Sequence, residues 1–183
     1  MRYFAPFILM LVLAAGAFAY VEQTNPDWYA RMRYPLEYEH IVTGHAQNYD
    51  LDTALLAAVI YRESKFEADA ESSSGAIGLM QLLPDTAKGI ALNTGGARFR
   101  VQDLYDPEIN VRYGSFYLRR LLRKYEDTSL ALAAYNAGQA NVDGWIAEGE
   151  GIPFPETREY VDEVLEIRDI YARAYADELE LSD

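Results

Sequence analysis

Hydrophobic positions recur at helical spacing along most of this chain, and no segment alternates apolar and polar residues as a half-buried strand does. From Leu36 onward, apolar residues fall three or four positions apart, and Gly, Pro and small polar residues separate the periodic stretches. The pattern predicts an all-α domain of about seven helices around one hydrophobic core. The expected helices cover about 37–49, 53–64, a segment from Pro84, a segment from Pro107, a short helix that Gly138 ends, 139–148 and 157–178.

Residues with capping chemistry stand where several of these helices are expected to begin. Asp52 is a predicted N-cap, and Asp106-Pro107-Glu108 presents an N-cap, a first-turn proline and an early acidic residue in that order. Asp127 or Thr128 precedes the short helix that Gly138 ends, and Gly is the residue most common just past a helix C-terminus. These signals define the helix starts more sharply than the apolar spacing does.

The first 19 residues have the three parts of a secretory signal peptide: basic Arg2, an uncharged apolar run and the small-residue pattern Ala17-Phe18-Ala19. Cleavage is then expected after Ala19. The alternative is a retained membrane anchor, because the 18 residues from Phe4 to Val21 carry no charge and are just long enough to span a bilayer. Both interpretations place the remainder of the chain outside the cytoplasm, secreted, periplasmic or held at the membrane.

Residues 36–178 are enough to build one hydrophobic core without metals or disulfides. We expect 20–35 to be a linker and 179–183 an acidic tail. The chain has no Cys, which excludes a disulfide framework, a thiol nucleophile and a Cys zinc site. Its two histidines, His40 and His45, are five residues apart and so lie on different helical faces, and we expect no metal site and no cofactor.

The charge of the chain limits its partners. A formal net charge of −13 and a pI of about 4.5 make nucleic acid an unsuitable ligand, because phosphate binding depends on Lys and Arg. The 15 Tyr residues are mostly expected to fill the core and surface. A minority could instead contact carbohydrate, since Tyr both packs and hydrogen-bonds.

Glu63 raises a question about chemistry. In a helix over 53–64 it continues the apolar stripe of Leu56, Val59 and Ile60 at the spacing of a core-facing surface. A carboxyl group in such a position loses solvation, which raises its pKa and suits it to act as a general acid. The structural alternative is that Glu63, near the helix end, reaches water or pairs with Arg62 or Lys65. Helix position alone favours that alternative.

Two short motifs favour the general-acid interpretation of Glu63 over the structural alternative. The segment "SSSGAIGLMQLLP" has Gly75 and Gly78 three residues apart, which would let the backbone approach a ligand closely. It also contains Met80, an adaptable apolar surface, and Gln81, whose amide can both donate to and accept from sugar groups. In "LALAAYNAG", the polar pair Tyr135-Asn136 stands in an otherwise apolar helix and requires partners. The nearby acidic residues Glu67, Asp69 and Glu71 alternate with Ala and indicate a solvated loop.

Four motifs in order give a specific resemblance. They are Glu63-Ser64, Ser72 to Pro84 with "GAIGLMQLLP", "AYNAG" at Ala134 to Gly138, and "PFPETREYV" at Pro153 to Val161. Together they resemble the catalytic domain of the soluble lytic murein transglycosylases (SLT), and the resemblance covers roughly residues 36–175. It implies a goose-lysozyme-like, all-α fold. It also implies cleavage of the β-1,4 bond between N-acetylmuramic acid and N-acetylglucosamine in peptidoglycan, without water, to leave 1,6-anhydro ends.

The resemblance also implies roles for single residues. It identifies Glu63 as the catalytic acid and base, and the remaining matches as contacts to substrate or to that acid: Ser72, Met80, Gln81, Tyr135, Asn136 and Tyr160. The expected partners are peptidoglycan glycan strands, and we expect a monomer. Two alternatives remain open. A hydrolytic muramidase of the same fold would use water, and a non-catalytic peptidoglycan-binding scaffold would keep only the fold.

Overall fold

Residues before Leu36 form a separate unit of two helices in the computed structural model, which describes residues 4–94, 96 and 98–179. Helix α1 (Phe4–Thr24) exposes every side chain from Ile8 to Tyr20. Helix α2 (Asp27–Arg33) begins after Pro26, where a residue without an amide proton loses no helical hydrogen bond. The segment 20–35, expected as a linker without apolar periodicity, is therefore largely helical.

Membrane-spanning potential in the described residues is limited to this unit. No single helix is long and apolar enough to cross a bilayer. The pair Ile8–Thr24 and Asp27–Arg33 has sufficient length and composition only when taken together, and it bends by 84° at the break.

The unit from Leu36 onward is all-α, as the apolar spacing predicts. Its described helices are α3 (Glu39–Tyr49), α4 (Thr53–Ser64), α5 (Pro84–Asn93), α6 (Pro107–Tyr125), α7 (Thr128–Ala137), α8 (Gln139–Glu148), α9 (Pro155–Ala174) and α10 (Ala176–Leu179). A 3-10 turn (Val101–Tyr105) precedes α6, and within the described range the only β pairing is two isolated bridges that Ile77 makes with Glu71 and Leu82. The number of helices exceeds the expected seven because the last predicted helix, 157–178, is interrupted at Tyr175.

Three aspartates begin helices as their positions predict. In each case the side-chain oxygen accepts a hydrogen bond from the backbone amide three residues later, at 2.8–3.1 Å. The pairs are Asp52 with Leu55, Asp106 with Ile109, and Asp127 with Leu130. The N-termini of α4, α6 and α7 are thus defined by side-chain caps within three residues of the helix start.

Helix α4 lies at the centre of this unit. The five residues from Leu56 to Ile60 are all 0% exposed, so the helix is covered on every side instead of along one stripe. Its most extensive packing is against α9, whose own stripe buries Tyr160, Val164 and Tyr171. The C-terminal turn of α4, which carries Glu63, is consequently held in place by the core.

A buried amide on α6 organises the loop between α4 and α5. Asn110 is 0% exposed, and its Nδ2 donates to the carbonyl oxygens of Ile77 (2.9 Å) and Leu104 (2.8 Å). Its Oδ1 accepts from the backbone amide of Met80 (2.8 Å). One side chain therefore joins the loop, the 3-10 turn and α6, and its three hydrogen bonds all go to backbone groups in an environment without solvent.

Gly78 is required by this arrangement. It has φ of +76°, and a Cβ at this position would lie 2.3 Å from Asn110 Nδ2 and 2.4 Å from the carbonyl oxygen of Leu104. The sequence predicts that Gly75 and Gly78 let the backbone approach a ligand closely. At Gly78 that interpretation is wrong, since the close approach is to the protein's own side chain and backbone. Gly75 shares the positive φ (+78°) but has open space around it.

The two glycines give a matched test of this packing. Gly75→Ala should lower the free energy of unfolding by roughly 1–2 kcal/mol, the cost of a left-handed residue with a Cβ. Gly78→Ala adds an overpacking cost of about 1–3 kcal/mol because Asn110 has no room to move. Urea unfolding of both variants measures the difference. Equal losses would mean that the loop relieves the clash, and would contradict the fixed position of Asn110.

Candidate active site

A cleft of about 350 Å³ lies beside the C-terminal turn of α4. Its walls come from α4, the loop that follows it, the start of α5, the middle of α6 and the end of α7. The lining residues are Glu63, Ser72, Ser74, Ala76, Gln81, Leu82, Leu83, Thr86, Tyr117, Tyr135, Asn136, Ala137 and Gly138. Among them Glu63 is the single carboxylate, and the remaining polar groups are hydroxyls and amides.

Glu63 has the environment of a protonated acid. Burial raises its pKa from 4.5 to about 7, and this effect outweighs two groups that lower it, the Tyr160 hydroxyl and the Arg62 charge. The hydroxyl of Tyr160, on α9, donates a hydrogen bond of 2.6 Å to Glu63 Oε1. The carboxyl group is thereby oriented and remains partly protonated at neutral pH.

The ion-pair alternative for Glu63 does not match the structure. Arg62 Nε is hydrogen-bonded to Glu163 of α9, and the guanidinium carbon lies 5.4 Å from the centre of the Tyr160 ring. Lys65 is exposed beyond the helix end. Glu63 forms no ion pair with any residue in the described part of the chain, so burial decides its protonation.

Two tyrosines whose rings are tilted by 47° to each other form one wall of the cleft. The ring centres of Tyr117 and Tyr135 are 5.5 Å apart, and the Tyr135 hydroxyl donates to the carbonyl oxygen of Met80 at 2.8 Å. Burial and the nearby Glu63 raise the pKa of Tyr135, so its hydroxyl remains a neutral donor. Sequence reasoning identified Tyr135 but missed Tyr117, because its helical spacing on α6 is indistinguishable from that of the core stripe.

Ser72 and Gln81, two of the residues that the resemblance assigns to substrate binding, both line the cleft. Ser72 Oγ hydrogen-bonds to Ser74 Oγ (2.9 Å) and accepts from the Ala76 amide (3.0 Å), so here it stabilises the loop and does not bond to Glu63. Gln81 adopts φ of +47°, and its Nε2 donates to two loop carbonyls at 3.0 and 3.2 Å. Both amide protons are used, which leaves the amide oxygen as its acceptor for a ligand.

Met80 lies beneath the cleft, contrary to the expectation that its side chain meets a sugar face. It is 0% exposed, and its sulfur packs so closely on α6 that a Cβ at Gly114 would lie 2.2 Å from it. Only its backbone serves the site, through the carbonyl that Tyr135 binds. An unbranched, adaptable thioether fills the gap between loop and helix. Tyr160, 2% exposed, is likewise buried and reaches Glu63 through its hydroxyl hydrogen bond.

Asn136 lines the cleft and also a neighbouring depression. Its Oδ1 accepts from Thr157 Oγ1 at 3.0 Å, which connects the end of α7 to the first turn of α9. The second depression, about 400 Å³, shares Asn136 and Ala137 with the cleft and is bordered by the exposed ring of Phe154. The site is thus open at this end, as a groove for an extended ligand requires.

The acidic residues of the loop and the two histidines lie outside the cleft. Glu67, Asp69 and Glu71 are exposed on the loop, as predicted. His40 is exposed, whereas His45 is buried and its Nε2 pairs with Glu108 at 2.9 Å. The described residues contain no cluster of three or more side chains that could hold a metal ion.

Comparison with known proteins assigns a family to this fold and site. Residues 41–152 match the family model of the transglycosylase SLT domain, and the chain belongs to this family. A putative soluble lytic murein transglycosylase of Haemophilus influenzae is 36% identical over 148 residues, 75% of this chain and 25% of the relative. The membrane-bound lytic murein transglycosylase F of Yersinia pestis is 33% identical over 144 residues, 67% of this chain and 27% of the relative.

A solved structure extends the comparison to three dimensions. An inactive mutant of the lytic transglycosylase Slt from Pseudomonas aeruginosa superimposes with a TM-score of 0.76 at 33% identity, covering 85% of this chain and 27% of that one. The predicted all-α, lysozyme-like SLT fold is confirmed. The chain spans only about a quarter of the length of the relatives it matches.

The raised pKa of Glu63 predicts a pH-dependent effect on stability. The folded protein keeps this proton up to about pH 7, whereas the unfolded chain loses it near 4.5, so this group stabilises the fold below pH 4.5 and the contribution is lost as pH rises through 7. Gln does not titrate. The unfolding free energy of Glu63→Gln should therefore gain about 3 kcal/mol relative to wild type between pH 4.5 and 8.

Denaturant unfolding of both proteins at matched pH values measures this difference. Below pH 4 each protein has a neutral side chain at this position, and the comparison there gives the packing effect alone. A difference that stays constant from pH 4 to 8 would contradict the buried, protonated state of Glu63.

Proposed function

We propose that this protein is a peptidoglycan lytic transglycosylase that cleaves the β-1,4 bond between N-acetylmuramic acid and N-acetylglucosamine and leaves 1,6-anhydro ends. The observation that carries the proposal is Glu63, the one carboxyl group among the described residues that line the cleft, with a pKa raised to about 7 and a hydrogen bond from Tyr160. Membership of the SLT domain family and relatives named murein transglycosylases support it.

The first step uses the protonated form of Glu63. Its proton passes to the glycosidic oxygen, the bond from that oxygen to C1 of the muramic residue breaks, and the glucosamine end leaves with a hydroxyl group. The carboxylate that remains takes the proton of the muramic 6-hydroxyl, whose oxygen bonds to C1. Glu63 ends as it began, protonated, and no water is consumed.

A single carboxylate favours this internal nucleophile. Glycosidases that activate water directly place two carboxyl groups about 6.5–9.5 Å apart across the bond, and those that use an enzyme nucleophile place them about 5–5.5 Å apart. Among the described residues that line the cleft, only Glu63 is acidic. The amide oxygen of Gln81 and the amide of Asn136 provide complementary groups for sugar hydroxyls and N-acetyl substituents.

The products separate this proposal from its two alternatives. A muramidase of the same fold would add water and give reducing ends, so its muropeptides would be heavier by one water molecule. A scaffold would sediment with cell wall and release no muropeptides. Mass spectrometry of digested peptidoglycan therefore tests all three.

Glu63→Gln should reduce anhydro-muropeptide release by roughly 10²–10⁴-fold, the usual contribution of a general acid. Gln keeps the shape and can still accept the Tyr160 hydrogen bond, so the fold should persist. Glu67→Gln is the matched control, because this carboxylate lies four residues away on the exposed loop. Undiminished release by Glu63→Gln, or equal losses in the two variants, would contradict the assignment of the acid.

We further propose that residues 1–19 direct export to the cell envelope, either as a signal peptide cleaved after Ala19 or as a retained anchor. The exposure of every side chain from Ile8 to Tyr20 supports both. Expression in a bacterial host followed by intact-mass measurement distinguishes them. A chain that begins at Tyr20 indicates cleavage, and a full-length chain in the membrane fraction indicates an anchor. Full-length protein confined to the cytoplasm would contradict export.

A further inference from the structure

The Arg62–Glu163 ion pair lies directly beside the proposed acid. Arg62 precedes Glu63 on α4, and its Nε is hydrogen-bonded to Oε2 of Glu163 on α9. In this position the guanidinium lies over the ring of Tyr160, 5.4 Å from its centre. Tyr160 in turn donates its hydroxyl proton to Glu63 at 2.6 Å. The ion pair and the acid are therefore connected through one aromatic side chain.

A cation adjacent to the acid opposes the chemistry that Glu63 is proposed to perform. A positive charge within a few ångströms stabilises the carboxylate and lowers its pKa, and Arg62 does so here to a limited extent. The remaining titratable groups facing Glu63 are Tyr160 from α9 and Tyr135 from α7, both neutral, with Tyr117 from α6 behind Tyr135. The loop side of the cleft presents only uncharged groups. Burial sets the raised pKa of Glu63, and Arg62 is the charged side chain that opposes it.

We propose that Glu163 is a positioning residue for the reaction: by pairing with Arg62, it holds the guanidinium over Tyr160 and away from Glu63, so that the acid keeps its proton. Glu163 acts through Arg62 and does not itself line the cleft. The same pair helps to orient Tyr160, because a guanidinium on an aromatic face fixes the plane of the ring. The inference rests on the proposed function, since it assigns a role within that reaction.

A second ion pair between the same two helices provides a control. Arg168 of α9 donates to Asp52 at the start of α4, with Nε to Oδ2 at 3.0 Å. Asp52 is eleven residues from Glu63, on the order of 16 Å along the helix at its rise of about 1.5 Å per residue. Loss of either pair removes a comparable contact between α4 and α9. Only loss of the Glu163 contact releases a charge beside the acid.

The test compares Glu163→Gln, Arg62→Gln, the double variant and Arg168→Gln. The pKa of Glu63 is followed by carbon-13 NMR of its carboxyl group, and the alkaline limb of anhydro-muropeptide release is measured alongside. Glu163→Gln should lower the pKa of Glu63 and shift the alkaline limb of the activity profile to lower pH by about one unit. This is the low end of the pKa shifts that a neighbouring charge causes, because the ion pair is partly exposed. Arg62→Gln should move both upward, since it removes the cation.

The double variant should follow Arg62→Gln, because Glu163 has no role without the arginine. Arg168→Gln should shift neither quantity, even where it lowers stability. A merely structural role would lower stability in all four variants without opposite pH shifts. An unchanged Glu63 pKa in folded Glu163→Gln would overturn the proposal. If that variant does not fold, an unchanged or lowered pKa in Arg62→Gln would overturn it instead.

The two readouts separate this inference from the proposed function. If wild-type protein releases no anhydro product, the proposed function fails, whereas the NMR titration still decides whether Glu163 controls the protonation of Glu63. If wild-type protein is active and the variants show no opposite shifts, the function stands and the positioning role of Glu163 is excluded.

Discussion

The site depends on one buried side-chain amide. Asn110 binds two carbonyl groups and one backbone amide at 2.8–2.9 Å. The bonds to Ile77 and Met80 fix the loop that follows α4 against α6, and the bond to Leu104 holds the 3-10 turn. Because the amide of Met80 is held by Asn110, its carbonyl is aimed at the Tyr135 hydroxyl. The loop that carries Ser72 and Gln81 is thereby placed relative to the tyrosine wall, although Asn110 itself never reaches the cleft.

The second constraint is the burial of α4, and it sets the chemistry of Glu63. A carboxyl group in water would be ionised at neutral pH, but the covered end of this helix removes the solvent that stabilises its charge. Tyr160 offsets part of that cost without adding a charge, since a neutral hydroxyl can donate to the carboxyl group. The core packing that stabilises the fold and the proton affinity that the proposed reaction needs therefore have the same cause, the contact of α4 with α9.

Much of this could be predicted from the sequence, because the signals were local. The aspartate caps, the helical spacing and the apolar stripe that includes Glu63 all act within a few residues. The failures concern contacts over long separations. Nothing in the sequence indicates that Asn110 binds a loop 33 residues away, or that Gly78 makes room for Asn110 in place of a ligand. The sequence likewise predicts Met80 in the cleft, because it does not show that Gly114, which has no side chain, leaves space for the Met80 sulfur in the core.

These constraints explain why Glu63 stays partly protonated near pH 7 in an acidic chain. Burial alone would leave Glu63 with an unpaired polar group, and a direct partner of positive charge would ionise it. Two residues of α9 provide the partners instead: Tyr160 donates a hydrogen bond to the carboxyl group of Glu63, and Glu163 pairs with the adjacent Arg62. Because both lie three residues apart on one face of α9, a single helix contact places the hydrogen-bond donor and restrains the cation.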